Sequence, residues 1–149
     1  MKLDLESILE MWKEDCEIEE FKLDESSRKT PSLHAKYLEI RSLTKLRLQE
    51  AELAQKTLLK NKWAYYNGKM DEDTIREFGW EFDPFNGLKV MKGDMDYFYD
   101  ADTDIQKSEV KITYYKTMLD TLDEIINNLK WRHSTIKNMI DWRRFEAGG

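Results

Sequence analysis

Apolar residues recur along the C-terminal third of the chain at alternating steps of three and four: Ile112, Tyr115, Leu119, Leu122, Ile126 and Leu129, then His133, Ile136 and Ile140. That is the a/d spacing of a heptad seam, and it predicts one long helix from about Asp104 to Phe145. A seam this regular wants a partner helix, either elsewhere in the chain or in a second copy. Upstream, Leu33, Tyr37, Ile40, Leu43, Leu46, Leu53, Leu58 and Leu59 form a looser apolar stripe. Thr30 can cap, Pro31 is tolerated in a first turn, and Gly68 suits a C-cap, so a second long helix is expected over about 31–67, roughly 55 Å long. Leu5, Ile8, Leu9 and Trp12 repeat at helical spacing and predict a short first helix from Leu5 to about Cys16.

Between these helices the pattern breaks down. "DESSRKTPS" reads as a linker. Residues 70–103 hold three of the six glycines and one of the two prolines, and rings and acids alternate there without a period. That stretch is expected to be an acidic loop or hairpin insert, with "LKVMKGDMDYFY" turning at Lys92-Gly93-Asp94. The predicted class is mainly α, in one domain whose parts are 1–69, 70–103 and 104–149.

Composition agrees with that class. Charged residues are 36% of the chain against 40% hydrophobic, a balance that favours elongated, solvated helices. Cys16 is the single cysteine, so no internal disulfide framework or CxxC metal site can form. No stretch approaches the roughly 20 apolar residues of a membrane span, and the N-terminus has no signal-peptide pattern. A soluble, intracellular protein is expected, with no membrane partner.

The net charge of -6 hides an uneven distribution. Residues 1–27 carry 3 basic and 10 acidic side chains, and residues 28–69 carry 10 basic and 3 acidic. Residues 70–110 carry 4 basic and 12 acidic, and residues 111–149 carry 7 basic and 5 acidic. A basic middle between acidic stretches either pairs with them inside one fold or meets an external polyanion.

Catalytic chemistry finds no foothold. His34 and His133 have no neighbouring cysteine, and His133 sits on the heptad seam, where a polar residue that sets register is the plainer reading. HExxH, GxGxxG and Walker-type loops are missing. "MDEDT" and "DADTD" lack the glycine and terminal glutamate of a calcium loop and read as solvated acidic loop. No catalytic residue, metal site or cofactor is expected.

One stretch does carry chemistry. "LKNKWAYYNGK", residues 59–69, gathers three lysines, a tryptophan and two tyrosines with no acid among them. A protein that holds single-stranded nucleic acid without reading its sequence needs cations for phosphates and flat rings for bases. Lys56, Lys60, Lys62, Tyr66 and Lys69 are the candidate contacts, and the lysines have no evident competing structural role. Lys56, Lys60 and Trp63 share one helical face, whereas Lys60 and Lys62 are roughly 200° apart. Either a strand wraps the helix end or some rings are core; Trp63 and Tyr65 are expected in the core, and Tyr66 is open to both.

The same stretch resembles a motif of the UvsY family, the recombination mediators of T4-like bacteriophages: leucine, lysine, any residue, a basic residue, two positions, Tyr-Tyr, any residue, glycine, a basic residue. The C-terminus "LKWRHSTIKNMIDWRRFEAGG" is similar too, in Leu129-Lys130, Arg132, Ile136-Lys137, Arg143 and the terminal "FEAG". Order and chain length agree over most of the chain, and the acidic middle matches loosely. The resemblance implies a non-enzyme that binds single-stranded DNA as a ring-like homo-oligomer, a hexamer or heptamer. It would weaken the phage single-strand-binding protein on that DNA and help the phage recombinase nucleate, in the cytoplasm of the infected bacterium. It places the DNA-binding basic pair on Lys60 and Lys62, where the family's second residue can be arginine. It also makes the C-terminal helix the oligomerisation element, here through Ile112, Tyr115, Leu119, Leu122, Ile126, Leu129, Ile136 and Ile140. The alternative of another class is a coiled-coil scaffold or assembly protein whose basic patch docks an acidic partner.

Overall fold

The computed structural model describes residues 4–148 and is helical nearly throughout, with no strand among the described residues. Helix α1 is Leu5–Asp15, α2 is Leu23–Tyr66, α3 is Glu72–Phe78, α4 is Met95–Ala101 and α5 is Thr103–Glu146. The helices α2 and α5 are 44 residues each. The chain divides into two compact units, one built from residues up to Arg47 and from Tyr115 onward, the other from Leu48–Tyr114. These units cut across the three sequence parts, because each long helix contributes to both.

In the first unit Asp4 caps α1, its carboxylate accepting the Ser7 N–H at 2.7 Å. Ile8 of α1, Tyr37 and Ile40 of α2, and Met118, Leu122, Ile125, Ile126 and Leu129 of α5 form one buried cluster. The ring of Trp12 meets Tyr37 edge-on at 5.5 Å. The seam of α5 thus has its partners in α1 and α2 of the same chain. Its buried stripe is also wider than a/d, since Met118, Ile125 and Arg132 are buried beside it. A helix covered by two neighbours at once needs that broader face. The expectation that the seam residues face a second copy is corrected accordingly. Leu122, Ile126, Leu129 and Ile136 are buried within one chain, Ile112 is buried in the other unit, and Tyr115 and Leu119 are half-covered; Ile140 is left at the surface.

Helix α2 begins eight positions before the proline that was expected to start it, so the expected linker is helical and Pro31 lies inside. Pro31 has no N–H to give to the Ser27 carbonyl. The turn before it is tied down from outside. The Ser26 carbonyl accepts from an Arg132 guanidinium nitrogen at 3.3 Å, and its hydroxyl accepts the Glu19 N–H at 3.2 Å. Arg132 is far along the chain, so the sequence around Pro31 gives no sign of it. The opposed charge blocks do pair in part: Lys36 meets Asp15 at 2.7 Å, and the Tyr37 hydroxyl donates to the same carboxylate at 2.8 Å.

In the second unit the expected insert is part loop, over residues 80–91, and part short helix, and no hairpin forms among the described residues. Asp71 caps α3 by accepting the Thr74 N–H, and Gly79 ends it at φ 74°. The expected turn at 92–94 is a single 3₁₀ turn, Lys92–Asp94, that runs directly into α4. Gly68 closes α2 at φ 67° as expected, with the Lys69 N–H returning to the Ala64 carbonyl at 2.8 Å. Tyr65, Ile75, Val90, Ile105 and Ile112 are buried here, and Tyr66 packs among the rings of Phe85, Phe98 and Tyr99.

Candidate nucleic-acid interface

The last turns of α2 split the basic-aromatic stretch into an inner and an outer face. Lys62 points inward and is 4% exposed. Its Nζ lies 3.0 Å from an Asp102 carboxylate oxygen, 2.9 Å from one of Asp104, and 3.8 Å from the centre of the Trp80 ring. Tyr66 donates its hydroxyl to Asp102, and the Trp80 indole N–H donates to Asp104 at 3.0 Å. The other Asp102 oxygen caps α5, accepting the N–H groups of Asp104 and Ile105 at 3.0 Å each. One ammonium cannot neutralise two carboxylates. The indole and phenol donors and the positive end of α5 supply the remainder.

Burial pushes the Asp102 carboxyl up. The hydrogen bonds from Tyr66, the Ile105 N–H and Lys62, with the Lys62 charge, more than offset this and hold it below the usual carboxylate value. Burial, together with Asp102, pushes the Tyr66 phenol well above its ordinary value, so the hydroxyl keeps its proton and remains a donor.

Two expectations are corrected here. Lys62 has a structural role that competes with phosphate binding, and "DADTD" is not a solvated loop, since Asp102 is buried at the centre of this node. Tyr66, open to both readings, is packed inside. Neither Lys62 nor Tyr66 presents its polar group to an incoming strand in this structure.

Trp63, expected in the core, is on the outside at 43% exposed. It shares its face with Lys56 and Lys60, which are exposed. The left-handed turn at Gly68 brings Lys69 back over it, with Nζ 4.6 Å from the ring centre. Among the described residues none of Lys56, Lys60 and Lys69 is in an ion pair. Three cations around one open indole is the combination that can neutralise phosphates and stack a base. The helical spacing of Lys56, Lys60 and Trp63 was the available signal for this face. The acids that draw Lys62 inward lie some forty positions downstream, where spacing says nothing.

A second face escaped the sequence reading. Opposite its buried stripe, α5 carries Trp131, Thr135, Asn138, Trp142 and Phe145, again at alternating steps of four and three, and all are exposed. Trp131 is 63%, Trp142 60% and Phe145 72% exposed, and the last two rings stack at 5.5 Å. Their heptad spacing was legible, but the stronger Leu/Ile seam masked it.

No described helix is long and apolar enough to cross a membrane. Comparison with known proteins points one way. The family described as recombination, repair and ssDNA-binding protein UvsY matches residues 11–149. The recombination protein uvsY of Enterobacteria phage T4 is 30% identical over 144 residues, which cover 97% of this chain and 98% of the phage protein. Crystal structures of the bacteriophage T4 recombination mediator protein UvsY superimpose on the chain. In one lattice the TM-score is 0.80 at 29% identity, over 99% of this chain and 98% of that one. In another it is 0.79 at 28% identity, over 94% and 98%.

Proposed function

The chain belongs to the UvsY family of recombination, repair and ssDNA-binding proteins, and from that premise we propose that it is a recombination mediator. It holds single-stranded DNA through the outer face at the end of α2, works as a ring-like homo-oligomer, and promotes loading of the phage recombinase onto DNA covered by the phage single-strand-binding protein. Its setting is recombination, repair and recombination-dependent replication in the cytoplasm of an infected bacterium. The observation that carries the reading is the face of Lys56, Lys60, Trp63 and Lys69, open and, among the described residues, free of ion pairs in a chain of net charge -6. Lys62 and Tyr66 serve as positioning residues behind it, and Trp63 joins the contacts.

The supporting physics is additive. Each phosphate neutralised on a single strand contributes about -0.7 to the slope of log affinity against log salt. Each base stacked on a ring contributes on the order of 1–3 kcal/mol. The test is a salt titration of binding to fluorescent oligonucleotides, with Lys60→Ala plus Trp63→Ala beside the native chain. The variant should bind more weakly and with a flatter slope, equally on different base sequences, because phosphate contacts carry no sequence information. It should also nucleate less recombinase on a strand pre-covered with single-strand-binding protein. Native affinity and slope in the variant would move the site elsewhere and favour a scaffold whose basic patch docks an acidic partner.

Self-association is assigned to the outer stripe of α5, Trp131, Asn138, Trp142 and Phe145, in place of the buried seam. Exposed rings at heptad spacing on one helix face are what a copy of the same helix covers in a coiled-coil contact.

A further inference from the structure

Where α4 meets the first turns of α5, an apolar side chain stands outside beside two carboxylates. Val110 is 69% exposed. It lines a cavity of about 390 Å³ with Ile105, Gln106 and Glu109 of α5 and with Tyr99 and Asp100 of α4. Ile105 is buried and Tyr99 half-buried, so these walls are held by the unit itself. Gln106 ties the two helices together. Its amide nitrogen donates to the Asp100 carbonyl at 2.9 Å, which leaves the amide oxygen as an acceptor. Glu109 accepts one bond, from Gln55 at 3.2 Å, and a carboxylate has room for more. Among the described residues neither Asp100 nor Glu109 is in an ion pair. No lysine, arginine or histidine lines the cavity. Burial and the Asp96 charge push the Tyr99 phenol above its ordinary value, so the negative field extends over its ring.

That lining selects its occupant. Phosphate is repelled, since both ionised groups there are acids. A purely apolar segment would cover two carboxylates and pair neither, which is costly. Arginine and lysine meet both features in one side chain. The aliphatic stem lies along apolar surface such as Val110, and the head group only donates. Arginine in addition gives a carboxylate two parallel N–H bonds and stacks on an aromatic ring such as that of Tyr99. We propose that the cavity between α4 and the start of α5 is a docking site for a partner protein, which inserts an arginine or lysine side chain flanked by apolar residues. The site shares no residue with the candidate DNA face of α2, and its test reads a different quantity.

The test uses the full-length protein and a short fluorescent peptide that alternates valine with arginine. Its control has citrulline in place of arginine, which keeps the shape and removes the charge. The arginine peptide should bind and the citrulline peptide should bind far more weakly. Asp100→Asn plus Glu109→Gln should weaken the arginine peptide by about tenfold or more. Asp73→Asn plus Glu77→Gln removes the same charge from α3 in the same unit and should leave its affinity unchanged. Val110→Ser is an independent third variant that should weaken the peptide severalfold through lost apolar contact. All these positions are exposed, so helicity should stay native, and DNA affinity and oligomer mass with it. Equal affinity in the two acid variants means that net charge alone is read, and overturns the proposal. Equal binding of the citrulline peptide overturns it too. A fall in mass by light scattering in the Asp100→Asn plus Glu109→Gln variant also overturns it, since a second copy of the chain would then be the occupant.

Discussion

Lys60 and Lys62 are the same residue type, two positions apart, and the helix gives them opposite duties. Lys60 faces water on the side of Trp63, whereas Lys62 is enclosed by Asp102, Asp104 and Trp80. Lys60→Ala should leave the urea midpoint almost unchanged, since alanine is the better helix former and exposed substitutions shift stability within about 0.5 kcal/mol. Lys62→Ala strands two carboxylates, and breaking a buried pair from one side costs about 3–5 kcal/mol. Urea unfolding of the two single variants separates the roles; equal, small losses would mean that the node is not load-sharing. The same node sets an acid limit. The folded Asp102 carboxyl titrates below the unfolded one. Its contribution is therefore present above about pH 4 and disappears as pH falls through the folded value. Asp102→Asn keeps a capping residue but removes the titration. A plot of melting temperature against pH should then fall less steeply below pH about 4 than in the native chain.

At the scale of elements, helix α2 is held through its weakest point by Arg132, a partner remote in sequence. A proline in a helix interior costs about 3 kcal/mol relative to alanine, offset in part because proline also restricts the unfolded chain by about 0.4–1 kcal/mol. Pro31 is exposed and makes no polar contact that alanine would lose. Pro31→Ala should therefore raise stability by about 2–2.6 kcal/mol in urea unfolding. A lower midpoint would show that the break in the hydrogen-bond ladder is needed for Arg132 to reach Ser26. The acidic insert shows the reverse situation. Its local signals were sound, Asp71 as a cap and Gly79 as a stop, but α3 spans 7 residues. Such a helix is too short to show a period, so it reads as loop.

The whole molecule decides what a seam is for. Leucines at a/d positions specify that something packs against α5, and here α1 and α2 of the same chain do so. Leu122→Asp plus Leu129→Asp should thus melt the first unit, with loss of helicity as well as of oligomer mass, because a carboxylate in that cluster costs several kcal/mol. Trp142→Ser plus Phe145→Ser touches exposed rings and should lower mass by light scattering while circular dichroism stays native. DNA affinity should fall with the mass, because many weak sites on one strand act together. A native mass in the Trp142→Ser plus Phe145→Ser variant would remove the outer stripe from the assembly.

What the sequence determined by itself was the local, periodic part. The class, α1, the course of α5, the stop at Gly68 and the gathering of lysines and rings at residues 59–69 all follow from repeats and capping residues within a few turns of chain. The motifs of that stretch and of the C-terminus carried the family resemblance as well. What only the tertiary structure decided was facing. Whether Lys62 or Trp63 turns inward depends on Asp102 and Trp80, which arrive from other elements. Whether Pro31 starts a helix or sits inside one depends on Arg132, and whether the α5 seam meets its own chain depends on α1 and α2. A helix fixes the angle between two of its residues to within a few degrees, but it has no inside of its own; the inside is assigned by whatever packs against it, and those partners lie too far along the chain for any spacing to reveal.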